Sequence, residues 1–178
     1  MQPNVVYTVG HSTRSADAFV ALLGAHAVTS LADVRTVPRS RHNPQFNGDT
    51  LAATLATHDI DYTRFPGLGG FRRTSPASLN AGWRNLSFRG YADYMQTVEF
   101  TENLDLLIAH AQDATVAVMC AEAVPWRCHR SLIADALTVR GIRVEEIVSE
   151  MKTSVHKVTP FARIEGTTIR YPALPLTD

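Results

Sequence analysis

Lysine is nearly missing from this chain: of seventeen basic residues fifteen are arginine, and only Lys152 and Lys157 are lysine. Acidic residues also number seventeen, so the formal net charge is zero and the pI is about 7.1. With no net field to draw the chain to nucleic acid or to an acidic membrane, any preference for anions has to be local. The plainer reading of the arginine excess is a base-composition bias, which arginines at presumed solvent positions share. The other reading is selection for bidentate contacts to carboxylate or phosphate. Cysteine is equally scarce. Two cysteines, Cys120 and Cys128, cannot build a disulfide framework, no long apolar run is present, and no secretory leader is expected. The expected compartment is a reducing cytoplasm, with no membrane partner. Internal repeats and low-complexity segments are missing too. At 178 residues and 45% hydrophobic content the chain is long enough for one buried core, so residues 1–178 are expected to form a single α/β domain.

What is present centres on Thr115 to Gly141. Val116, Val118 and Met119 read as a short strand covered on both faces, the pattern of a parallel sheet, with Cys120 at its carboxyl end. Pro125 suits the first turn of a helix whose buried face carries Leu132, Ile133, Ala136 and Leu137. Cys128 and His129 lie one turn ahead of Leu132 and Ile133 and are expected to point inward, toward Cys120 and Glu122. A thiol in that first turn, beside His129, Arg127 and Arg130, is placed where backbone N–H groups and positive charge favour the thiolate. Cys120, between Met119 and Ala121, reads as packed rather than reactive.

Along the rest of the chain, Val5, Val6, Tyr7 and Val9 predict a strand ending at Gly10-His11-Ser12, and Ser15 or Asp17 can cap the helix carrying Phe19 to Leu23. Val28, Leu31 and Val34 predict a second strand, ending at Asp33 and Arg35 ahead of the proline-bounded loop that holds Arg39, Arg41 and His42. A short helix around Leu51 and Leu55 precedes a third strand at Ile60, Tyr62 and Phe65, which runs into the turn Gly67 to Gly70. Residues 71–89 read as a long loop or lid, with a short helix near Leu79 to Trp83. Tyr91 to Ala111 has helical spacing, read as two helices meeting near Phe100. Val144, Ile147 and Val148 give another strand, and 160–172 a small hairpin turning at Glu165-Gly166.

Strands alternating with helices imply a Rossmann-like parallel sheet with helices on both faces, which binds ligands outside the carboxyl ends of its strands. Four segments that follow strands therefore converge: His11-Ser12, Asp33 to Arg35, the Gly67 turn, and Cys120 to Glu122. In the cleft so formed, Cys128, Glu122, His129, His11 and Asp33 are the candidate catalytic groups. Ser12, Arg35, Arg39, Arg41, Cys120 and Arg130 are the candidates for holding substrate. No cofactor is read from these residues. A zinc site built from Cys120, Cys128 and His129, with Glu122 or His11 as fourth ligand, is the lesser alternative, because adjacent helical positions diverge by about a hundred degrees. Asp33 has a purely structural reading as well, pairing with Arg35 or Arg130 to fix the loop.

Through Val9-Gly10-His11-Ser12, Asp33-Val34-Arg35, Pro38-Arg39-Ser40-Arg41, Leu68-Gly69-Gly70, Tyr91-Ala92-Asp93-Tyr94-Met95, Met119-Cys120-Ala121-Glu122 and Cys128-His129-Arg130, the chain resembles the domain of unknown function family 488. The resemblance spans nearly the whole chain, closing hairpin included, and implies an α/β domain without bringing a biochemical role. Two function classes follow from the residues. One is a cysteine-dependent hydrolase or transferase, in which Cys128 attacks, Glu122 or His129 moves a proton and arginines hold a nucleotide or phosphorylated substrate. The other is a nucleotide- or nucleic-acid-binding module that uses the same arginines without catalysis. A thiol of depressed pKa separates them. These residues do not speak to oligomeric state.

Overall fold

The computed structural model describes residues 4–175. Its centre is a six-stranded sheet in the order β3-β2-β4-β1-β5-β6, made of β1 (Val5–Gly10), β2 (Ser30–Asp33), β3 (Asp61–Arg64), β4 (Val116–Cys120), β5 (Arg143–Ser149) and β6 (Lys152–Val155). The first five run parallel, as expected, and β6 turns back antiparallel on β5, so the sheet is mainly parallel with one antiparallel edge strand. Five helices lie among the described residues: α1 (Ala16–Ala25), α2 (Gly48–Ala56), α3 (Leu86–Tyr94), α4 (Val98–Asp113) and α5 (Arg130–Thr138). A separate antiparallel hairpin, β7 (Arg163–Glu165) and β8 (Thr168–Arg170), follows.

All five residues of β4 are buried, and they divide by parity as a pleated strand requires. Val116 and Val118 join a cluster with Leu104 and Leu107 of α4 and Leu132 and Ile133 of α5. Ala117 and Met119 join another, with Phe19 and Leu23 of α1 and Leu51 and Leu55 of α2. Ser15 caps α1 as expected, its Oγ accepting from the Ala18 N–H at 3.1 Å.

Two local expectations are corrected, and one strand was not expected at all. No helix forms over Leu79 to Trp83, because tertiary partners claim that backbone. Asn80 Oδ1 accepts from the Tyr171 N–H at 2.9 Å, and the Gly82 N–H donates to the Tyr171 carbonyl at 2.8 Å. The helix starts later, at Leu86, where Asn85 Oδ1 caps the Ser87 N–H. The strand β6 shows no apolar alternation, having exposed Lys152, Ser154 and Val155, and gives no periodic signal. Pro125 opens only a 3-10 turn, Pro125–Arg127, which the extended backbone of Cys128 ends; α5 begins at Arg130.

The closing hairpin is tied to the body of the protein. The Tyr171 hydroxyl donates to Asp135 at 2.7 Å, and Asp135, fully buried in α5, also accepts from Thr159 Oγ1 and contacts His156. Burial and that neighbouring carboxylate hold the Tyr171 hydroxyl well above the ordinary phenol range.

Candidate active site

The loops leaving β1 and β4 are laced together at backbone level. The His11 N–H donates to the Cys120 carbonyl and the Ser12 N–H to the Ala121 carbonyl, both at 3.0 Å. Gly10 allows this approach. A Cβ there would stand 1.7 Å from the Glu122 carbonyl oxygen, so no other residue fits without moving the 121–123 segment.

Beside these strand ends lies a cavity of about 300 Å³. Of the predicted site residues, Arg35, Arg39, Cys120, Glu122, Cys128 and His129 line it. His11, Ser12, Asp33, Arg41 and Arg130 do not. His11 and Asp33 are at the expected end of the sheet but buried away from the cavity, and Arg41 is exposed on its loop. Sequence reasoning missed the wall formed by Val37, Phe71, Ser87 and Phe88, and assigned Tyr91 to the core alone. The segment read as a long loop thus reaches the cavity at both its ends, through Phe71 and through Ser87 and Phe88 in the first turn of α3. At the lip, Phe71 is 88% exposed and has φ +58°, a left-handed conformation that is an outlier for a bulky side chain.

The two sulfurs meet at Arg130. This side chain is fully buried and all five of its N–H donors are engaged. Nη1 donates to Cys120 Sγ at 2.7 Å and to the Glu122 carbonyl at 2.5 Å. Nη2 donates to Glu146 Oε1 at 2.6 Å and to the Ala123 carbonyl at 3.3 Å, and Nε to Glu146 Oε2 at 3.5 Å. Thr8 Oγ1 also donates to Glu146. Arg130 therefore has no donor left for a substrate and is corrected from a binding residue to the support of Cys120. Its charge is held firmly: burial opposes it, but Cys120 and Glu146 outweigh that and raise its pKa.

This arrangement reverses the expected roles of the thiols. Burial pushes Cys120 up, yet a hydrogen bond from Cys128 and the charge of Arg130 pull it down further, and the net shift is downward. Cys128 is displaced well upward, by its hydrogen bond to Cys120 and then by burial. Nor does Cys128 sit in a helical turn. It is extended, with φ −135° and ψ 145°, two residues before α5, and the only helix N–H it meets is that of Arg130, 3.5 Å from Sγ. The two shifts run in opposite directions, so of the pair Cys120 is the thiol that ionises first and Cys128 the one that holds its proton longer.

His129 lies next in line. Its Nε2 is 3.1 Å from the Val34 carbonyl, which only accepts, so Nε2 carries the proton and Nδ1 presents a lone pair 3.6 Å from Cys128 Sγ. Burial lowers its pKa to about 4, against the hydrogen bonds to the Val34 and Leu68 carbonyls, and the ring is neutral at pH 7.

Asp33 and Arg35 form a buried pair. Arg35 Nε and Nη2 donate to the carboxylate at 2.9 and 2.7 Å, and the Tyr62 hydroxyl adds a third donor at 2.5 Å. Burial alone would lower the Arg35 pKa, but Asp33 more than offsets it. Nη1 turns toward His11 Nε2 at 3.5 Å; His11 stacks on Phe46 and, buried, has its pKa lowered. Asp33 and His11 thus fix how Arg35 faces the cavity. The Glu122 side chain is exposed at the rim. No group of three or more His, Cys, Asp or Glu among the described residues is arranged to hold a metal ion, and none of the described helices is long and apolar enough to cross a membrane.

The fold and cavity define a mixed α/β protein with a paired-thiol cleft at the carboxyl ends of parallel strands. Within that class the chain belongs to the family described as domain of unknown function DUF488, whose model matches residues 15–137. Cys120, Cys128 and Arg130 fall inside the match, while His11, Ser12 and the closing hairpin lie outside it. No curated protein and no solved structure matches the chain.

Proposed function

We propose that the cleft is the active site of a cytoplasmic, cysteine-dependent hydrolase or transferase acting on a small anionic substrate, a nucleotide or phosphorylated metabolite. The observation that carries this reading is the cavity of about 300 Å³ that puts Cys120, with the guanidinium of Arg130 behind it, in the same wall as Arg39 and Arg127. In this reading the chain is one Rossmann-like domain with helices on both faces, supported by the division of β4 side chains between two apolar clusters.

Cys120 replaces Cys128 as the nucleophile. Its thiolate attacks the electrophilic centre, Cys128 supplies a proton to the leaving group, and neutral His129 or the Glu122 carboxylate takes the proton of the second nucleophile. Arg35, held by Asp33 and His11, and the exposed Arg39 and Arg127 bind the anion. The exposed ring of Phe71 at the lip favours a substrate with an aromatic group, hence a nucleotide. Ser12 and Arg41 have no part in this scheme.

A nucleoside monophosphate at about ten times its Kd stabilises the protein by about 1.4 kcal/mol and raises Tm by roughly 3–5 °C, less at high salt. Arg39→Ala combined with Arg127→Ala abolishes most of that rise in thermal denaturation, and Arg41→Ala leaves it unchanged. A double variant that responds like the parent places the anion site elsewhere.

A further inference from the structure

The hydrolase or transferase scheme uses one sulfur as nucleophile and the other as proton donor, and the second role does not of itself call for a sulfur. We propose that Cys120 and Cys128 form a reversible dithiol–disulfide site that reacts with small hydroperoxides admitted through the cavity, Cys120 being the attacking and Cys128 the resolving thiol.

The chain has only these two cysteines, and both front the same cavity. One residue touches both sulfurs: Arg130 Nη1 donates to Cys120 Sγ at 2.7 Å and the Arg130 N–H to Cys128 Sγ at 3.5 Å. They are 3% and 6% exposed, so the cavity is their approach from solvent. Its volume of about 300 Å³ admits a small hydroperoxide and keeps out another protein's cysteine, which favours closure within the pair. The backbone suits the division of labour. Cys120 ends a fully buried central strand, whereas Cys128 lies in the loop between a 3-10 turn and α5 and is the partner that can shift to close the bond.

The electrons balance with the hydroperoxide as oxidant. The Cys120 thiolate attacks the terminal oxygen, the O–O bond breaks, an S–O bond forms, and the alcohol or water leaves with a proton from solvent. His129 Nδ1, 3.6 Å away, then accepts the Cys128 proton, and that sulfur attacks Cys120. The S–O bond breaks and water departs with this proton. Each sulfur is oxidised by one electron and the peroxide is reduced by two. The inference rests on the Cys120 thiolate of the proposed function but not on its anionic substrate.

The test treats the reduced, folded chain with hydrogen peroxide and then measures intact mass after alkylation in denaturant. The parent is expected to lose two hydrogens, to resist alkylation at both cysteines and to revert with dithiothreitol. Cys128→Ser is expected to hold one added oxygen that dimedone traps at position 120, and Cys120→Ser to stay unmodified over the same interval. Peptide mapping of the parent alone decides the matter if either variant fails to fold. Oxygen addition without a disulfide, cysteines that remain alkylatable, or oxidation of Cys120→Ser as fast as the parent would each overturn the proposal. A nucleotide-induced Tm rise in the reduced parent is read independently, so loss of that rise with an intact disulfide reaction sinks the substrate assignment alone.

Discussion

Arg130→Met is expected to cost about 3–5 kcal/mol of unfolding free energy, because it leaves a buried ion pair half made. The side chain is fully buried, and its removal strips donors from Glu146, from Cys120 Sγ and from the Glu122 and Ala123 carbonyls together. Glu146 would keep the Thr8 hydroxyl as its remaining side-chain donor. Met fills much of the same volume, so the loss is mainly one of polar satisfaction rather than of packing. Adding Glu146→Gln removes the stranded carboxylate and should restore part of the stability, the non-additivity expected of a contacting pair. Arg143→Met provides the control: Arg143 is 50% exposed in its pair with Glu145, and its loss should stay within about 0.5 kcal/mol. Urea denaturation of the four proteins measures this. A cost below about 1 kcal/mol for Arg130→Met would mean that the network does not hold this end of the sheet.

Acid should weaken the fold through His129. The unfolded side chain takes a proton near pH 6.5, whereas the folded one, desolvated by burial, resists until about pH 4. The unfolded state thus binds more protons in that interval, so stability is full above about pH 6.5 and falls as pH drops toward 4. At roughly 1.4 kcal/mol per unit the loss from this group reaches about 3 kcal/mol and then levels off. His11, lowered by burial as well, acts with the same sign. His129→Gln can still donate to the Val34 carbonyl but does not titrate, so its stability should fall less between pH 7 and pH 4.5 than that of the parent. Equal pH dependence of the two proteins in urea denaturation would remove His129 from the account.

The strands and the edge they share were legible because local pattern and tertiary environment agree there. Val116 and Val118 announce a buried strand, and the polar residues after β1, β2 and β4 do arrive at one end of the sheet. The Asp33–Arg35 pair was legible as well, at a spacing of two residues in an extended loop, although as structure rather than chemistry. The assignment of charge between the thiols was not. Cys120 has no basic neighbour in sequence; its cation comes from Arg130, ten positions on, folded back from the start of α5. Cys128 has arginines beside it in sequence, but α5 starts too late to bring it into a helical turn. The cavity wall escaped for a related reason. Phe71 and Phe88, the latter in α3, stand on either side of a segment without periodicity, whose course is set by bonds remote in sequence, from Asn80 and Gly82 to Tyr171 and from Ser75, Ser78 and Asn80 to Asp93.

The rate of alkylation by iodoacetamide as a function of pH, measured on the parent, Cys120→Ser and Cys128→Ser, addresses the central claim most directly. Serine at 128 keeps a hydrogen-bond donor near Cys120, so Cys128→Ser should still react at a pH below the ~8.5 of a free thiol, with label at Cys120. Cys120→Ser should lose that fast reaction. A fast phase that survives in Cys120→Ser and disappears in Cys128→Ser would contradict the account and return the nucleophile to Cys128.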